Sequence, residues 1–183
     1  MLYFAHLIIN AISDIAEIFE KTGLRRMRRQ DREVIGQENI LAILDSCDVL
    51  RLGLCADDKP YIVPMNFAYE LADGKIFIYL HCAREGRKID IIRKNNNACF
   101  EADIGFKTLE KELACEWSAL FQSVYGEGKI SEIADDALKA RALDIIMKRY
   151  GFEGTPVYKP ESLSAVNVLC IDVELITGKQ KLV

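Results

Sequence analysis

The sequence predicts a mainly β protein with peripheral helices (α+β), an antiparallel barrel of six or seven strands. Three observations carry that expectation. Short runs rich in Val, Ile, Phe and Tyr recur between residues 48 and 133 and again at 166–180. Turn signals separate them, with ADDKP after the first run and Asp73-Gly74 after the second. Helical patterning is confined to short stretches before, between and after the strands, which places three or four helices around the barrel.

With 183 residues the chain suits one domain with a real core. Half of the residues are hydrophobic and 28% are charged, a globular composition. The net charge of −4 argues against nucleic-acid binding. Six cysteines occur without a CxxC pair or a nearby histidine, so they read as buried, reduced thiols of a cytoplasmic protein. Residues 1–26 begin apolar but carry Asp14, Glu17 and Glu20. They read as neither a signal peptide nor a membrane span, because no positive stretch precedes the apolar part and acidic residues interrupt it. Their spacing fits an amphipathic helix, and Met27 opens a polar stretch, MRRQDREV, that could itself be a natural start. Residues 1–26 are therefore expected as an N-terminal extension to a core domain at 27–183.

The elements follow in order. QENILAILDS (37–46) reads as a short helix with Ile40, Leu41, Ile43 and Leu44 on one face. DVLRLGLC (48–55), YIVPMNFAYE (61–70) and KIFIYLHC (75–82) read as three strands of a meander. Pro64 forbids one ladder hydrogen bond. It marks an edge, a bulge or a place where a ligand replaces a neighbouring strand. GRKIDIIRKN (86–95) is a helix stopped by three asparagines. NACFEADIGF (97–106) is a fourth strand. Residues 112–133 hold two more strand stretches, with Gly126 and Gly128 allowing a bend or bulge. Residues 135–151 are the clearest helix, capped by Asp135 or Asp136. Leu138, Ala142, Leu143, Ile146 and Met147 are expected to face inward. VNVLCIDVELITGKQ (166–180) is the last strand.

The functional signal lies at 61–95. Arg84, Arg87 and Lys88 form a basic loop that opens a helix, where backbone N–H groups and the helix dipole favour an anion. Arg offers a bidentate fork to phosphate oxygens and Lys a mobile point charge. The strands before it carry Asn66 and His81. Together these point to a phosphorylated, ring-bearing cofactor. Cys82 adjoins His81, but strand alternation puts the two on opposite faces. Trp117 reads as core. No GxGxxG follows a strand, so a Rossmann-type nicotinamide site is not indicated.

The series DVLRLGL, PYIVPMNFAYE, IYLHCAREGRKIDIIRKN, SVYGEGKI and IDVELITGK resembles the pyridoxamine 5′-phosphate oxidase-like, FMN-binding split-barrel superfamily, in its nitroimidazole-resistance (Nim-type) branch. The resemblance implies a split barrel. It implies FMN as cofactor, or FAD, whose adenylate an open rim would accept. It also implies a flavin phosphate on Arg87 and Lys88, with Arg84 auxiliary. The ring would lie along Val63, Pro64, Met65 and Asn66, and Tyr79, Leu80 and His81 would line the ring or the ribityl chain. His81 would be the group nearest to catalysis, and Gln122 and Ser123 would come from the partner of a homodimer. The implied activity is reduction of a small organic acceptor, such as a nitroaromatic, by a reduced nicotinamide. The alternative is a non-catalytic flavin or haem carrier. The chain departs from the oxidase proper at Asn66, where a basic residue is usual. ITGKQKLV also offers no equivalent of the residues that recognise pyridoxal phosphate, so vitamin B6 oxidation is not implied.

Overall fold

The computed structural model describes residues 27–182. The chain divides into two compact units, Met1–Glu33 and Val34–Val183. The proposed extension at 1–26 lies outside the described residues. The described part of the first unit holds a single 3-10 turn, Gln30–Arg32, beside an Arg29–Asp31 ion pair.

The second unit is built on one curled antiparallel sheet. After the two-residue strand β1 (Glu33–Val34) comes helix α1 (Gln37–Asp45), then β2 (Leu50–Ala56) and β3 (Lys59–Met65). A further hairpin, β4 (Phe67–Ala72) and β5 (Lys75–Ala83), leads into helix α2 (Arg87–Lys94). The long strands β6 (Asn97–Leu109) and β7 (Ser118–Glu132) precede α3 (Asp136–Arg149), α4 (Pro160–Ala165) and β8 (Val166–Lys181). The sheet order is β3-β2-β6-β7-β8-β5-β4.

That order corrects the expected meander. Residues 61–70 are not one strand. The run breaks at Asn66, and its two halves lie at opposite ends of the sheet: β3 pairs with β2 and β4 pairs with β5. Only Asn66 separates the two halves, so the sheet must curl until its ends meet without a ladder between them. This is the split of the barrel. The interior is packed by alternate residues, among them Leu50, Leu52, Phe67, Ile78, Leu80 and Phe100, each at most 1% exposed. Pro64 sits on the edge strand β3, where its missing N–H breaks no ladder. Asp57-Asp58 and Asp73-Gly74 both have positive φ and close the two hairpins with two-residue turns.

Residues 118–132 form one strand rather than two, preceded by a 3-10 turn at Ala114–Glu116. The irregularity expected at Gly126 and Gly128 is a bulge against β8. Glu127 faces Leu175 and Gly128 faces Val173, which leaves Glu174 without an opposite residue. Asp135 is the cap of α3, its carboxylate accepting from Leu138 N at 2.9 Å. Leu138 and Met147 do not face inward: they are 55% and 37% exposed, because α3 covers only one side of β4 and β5. Trp117 is likewise half exposed, its indole N–H donating to Lys111 O. Among the cysteines only Cys47 is buried, and Cys55 and Cys115 are exposed. Burial pushes the Cys170 thiol up to about 11, so it stays protonated at neutral pH. No described helix is long and apolar enough to cross a membrane.

The end of α3 fixes the crossing point. Tyr150 Oη donates to Asp48 O (2.6 Å) and accepts from Phe67 N (3.0 Å), the first residue after Asn66. Arg149 donates to Leu44 O and Cys47 O, both at 2.7 Å, and lies over the Phe67 ring. Tyr150→Phe strands one donor and one acceptor. Thermal melting is expected to show a loss of about 1–2 kcal/mol, a fall in Tm of roughly 2–8 °C. An unchanged Tm would show that water replaces the hydroxyl without cost.

Candidate functional site

The break at Asn66 leaves two strand edges without neighbours. Among the described residues β3 pairs only with β2, which leaves the other edge of Val63–Met65 free among them. β5 outruns β4: the pairing starts at Phe67 opposite Leu80, and among the described residues His81, Cys82 and Ala83 have no strand partner on that side. The two free edges flank Asn66, which is exposed. Unpaired N–H and C=O groups facing one gap are unusual in a sheet, because they are usually covered or blunted.

Helix α2 brings charge to the same gap. Gly86, with φ of 128°, takes a backbone conformation that favours glycine and lets the chain turn into the helix directly from β5. No side chain caps the helix start. Ile89, Ile91 and Ile92 anchor the helix in the core. This leaves Arg87 and Lys88 in the first turn, at the positive end of the dipole, where cations are unfavourable by about 0.3–1 kcal/mol each. Both reach back to β3. The Arg87 guanidinium lies 4.9 Å from the Tyr61 ring centroid, and Lys88 Nζ donates to Met65 Sδ at 3.1 Å. An anion at the helix start would reverse the electrostatic penalty, satisfy first-turn N–H groups and bind both cations.

The other expected residues fall as follows. Val63 is half-buried, Pro64 exposed and Met65 buried. Leu80 is wholly buried, so only its backbone is available to a ligand. Tyr79 donates to Glu70, which is also paired with Arg141 at 2.7 Å. Burial and that carboxylate push the phenol upward. Tyr79 packs on the side of β5 that α3 covers. His81 is exposed on that same side, and Cys82 turns the other way into the barrel. Burial pushes the Cys82 thiol up, while nearby Lys88 pulls it down. Arg84 is held by Ser164 O at 3.0 Å, which ties the loop to α4.

Gln122 and Ser123 are not brought to the gap within one chain. Gln122 donates to the Gln180 side chain and Ser123 to Lys179 O, near the far end of β8. His81 lies opposite Val168, near its start. At ~3.3 Å per residue the two positions stand up to ~36 Å apart along the strand. Tyr61 was missed by sequence reasoning. Its signal was an aromatic residue in the strand just before the Val-Pro-Met-Asn run. Among the described residues no cluster of His, Cys, Asp or Glu could hold a metal ion.

A curled antiparallel sheet, parted where its two ends meet and flanked there by a basic helix start, defines the split-barrel class. The chain belongs to the pyridoxamine 5′-phosphate oxidase family, whose model matches residues 36–180. Among solved structures, it resembles a candidate 5-nitroimidazole antibiotic resistance protein from Bacteroides thetaiotaomicron. The two are 33% identical with a TM-score of 0.71, over 81% of this chain and 86% of that one. The flavocytochrome Anf3 from Azotobacter vinelandii is 21% identical (TM-score 0.72), over 86% of this chain and 72% of that one. An FAD- and haem-binding protein from Mycobacterium smegmatis is 17% identical (TM-score 0.72), over 82% of this chain and 73% of that one. These last two share the fold. A curated protein of uncharacterised function from Rhizobium meliloti is 32% identical over 62 residues, 34% of this chain and 38% of that protein.

Proposed function

We propose that the gap at Asn66 binds a flavin and that the bound protein is an oxidoreductase acting on a small organic acceptor such as a nitroaromatic. The observation that carries the reading is the pairing of two free strand edges with two cations at an uncapped helix start. A flavin offers a phosphate to Arg87 and Lys88. The pyrimidine edge of its ring alternates hydrogen-bond donors and acceptors, which matches an unpaired strand edge. The flavin supplies the electron transfer. The chain holds the ring against residues 63–66, with the Asn66 amide at the ring edge. The exposed His81 imidazole stands beside the free end of β5, placed to give a proton to the reduced acceptor. The family membership and the likeness to the Bacteroides nitroimidazole-resistance relative support this reading.

The separation of Gln122 and Ser123 from the gap fits a homodimer in which each copy supplies these residues to the other's flavin. A reduced nicotinamide is the proposed electron donor. The purified protein is expected to be yellow, with a flavin spectrum that NAD(P)H bleaches and a nitroaromatic restores. A yellow protein that NAD(P)H leaves oxidised would restrict it to a carrier, and a Soret band without flavin would overturn the reading.

A further inference from the structure

Helix α2 carries four cations and holds them in two different ways. At its end Arg93 pairs with Glu132 at 2.8 Å and Lys94 with Asp57 at 2.9 Å. At its start the partners are uncharged. Arg87 lies over the Tyr61 ring, and Lys88 Nζ donates to Met65 Sδ. Glu85 and Asp90 flank this pair in sequence. Yet among the described residues no carboxylate lies within ion-pair distance of Arg87 or Lys88. Tyr61 and Met65 are four residues apart on β3, so they point to the same face of the strand. Met65 belongs to the barrel core, and Tyr61 and Val63 pack against it. The two partners are therefore anchored, while the cations they meet stand at the gap.

We infer that Tyr61 and Met65 are positioning residues, which hold Arg87 and Lys88 ready for a flavin phosphate without neutralising either. The inference rests on the flavin reading above. A carboxylate partner would cancel the charge and occupy the N–H groups that a phosphate needs. A ring attracts a guanidinium through its quadrupole and leaves the N–H fork available for a bidentate contact. A thioether is a weak acceptor and takes one of the three ammonium donors. Long side chains lose rotamer freedom when they close on a ligand, and a cation already held in place loses less. Both partners stand on the strand along which the ring is proposed to lie, so one element sets the ring seat and the phosphate seat together. The arrangement serves a ligand rather than the fold. Two cations without carboxylates at the positive end of a helix dipole oppose helix stability.

Fluorescence-quenching titrations of the flavin-free full chain with FMN and with riboflavin, which lacks only the phosphate, test this. Tyr61→Leu removes the ring and Met65→Leu the sulfur, and both keep an apolar side chain. Each is expected to weaken FMN binding by roughly three- to tenfold and to leave riboflavin affinity unchanged. The unchanged riboflavin affinity also reports an intact fold. Tyr61→Phe keeps the ring and is expected to bind FMN as the unaltered protein does. Leucine variants that weaken both flavins alike would overturn the inference, because the two side chains would then serve the ring seat or the fold. Unchanged FMN affinity in both leucine variants would also overturn it and leave the flavin reading standing. If the unaltered protein binds neither flavin, the flavin reading falls and takes this inference with it.

Discussion

Arg87→Glu with Lys88→Glu is expected to yield a colourless protein that no longer retains flavin. A hydrogen bond to a charged group contributes about 1.5–3 kcal/mol. The double variant removes two such partners and puts two like charges beside the phosphate. The expected weakening is on the order of a thousandfold or more. The fold should not suffer. Arg87 is exposed and Lys88 half-buried, and both sit at the positive end of α2, where a carboxylate is favourable by about 0.3–1 kcal/mol. The flavin-free protein should therefore melt at the same temperature or slightly higher. This opposition of signs separates a lost ligand from a damaged protein. Flavin content and Tm measured on the same preparation decide it. A yellow double variant would remove the phosphate from the helix start.

Gly128→Ala is expected to damage the fold itself. A Cβ at this position would lie 2.1 Å from Asp172 O and 3.0 Å from Val173 Cα. Both are backbone atoms of β8, so no side chain can turn aside to admit the methyl group. The two strands must separate where the bulge displaces Glu174 from the ladder. Overpacking of this kind costs about 3 kcal/mol, a fall in Tm of roughly 6–12 °C for a chain of this size. Thermal and urea melts would show it directly. A variant that melts within about 1 °C of the unaltered protein would mean that the bulge can re-form with a different residue out of register.

Sequence and structure part company at identifiable places. The helix at 86–95 was legible because three isoleucines, a preceding glycine and a following run of asparagines agree on its limits. The β4–β5 turn was legible because Asp-Gly chemistry is local. The division of YIVPMNFAYE was not. Apart from Pro64 and Asn66 its residues suit a strand, and nothing in them says that Tyr61–Met65 will find β2 while Phe67–Glu70 will find β5. That choice is made by partners far apart in sequence. The same holds for Leu138, Met147 and Trp117. Apolar type, and for Leu138 and Met147 helical spacing, nominated them for the core, yet exposure depends on whether another element arrives to cover them. Tyr61 is the instance at the candidate site: it meets Arg87 only because α2 swings the guanidinium over its ring.

The sequence by itself determined the strand-rich class, the basic helix start at Arg87-Lys88, the hairpin at Asp73-Gly74 and the glycines at 126 and 128 that allow a bulge. Each is written in local steric and electrostatic terms that need no distant partner. Tertiary structure alone decided that the sheet would part at Asn66 and that two free edges would face the clamp. It also decided that Glu174 would fall at the bulge with no residue opposite it on β7. These depend on sheet register, which strands far apart in the chain fix only when they pair and bury their apolar faces together.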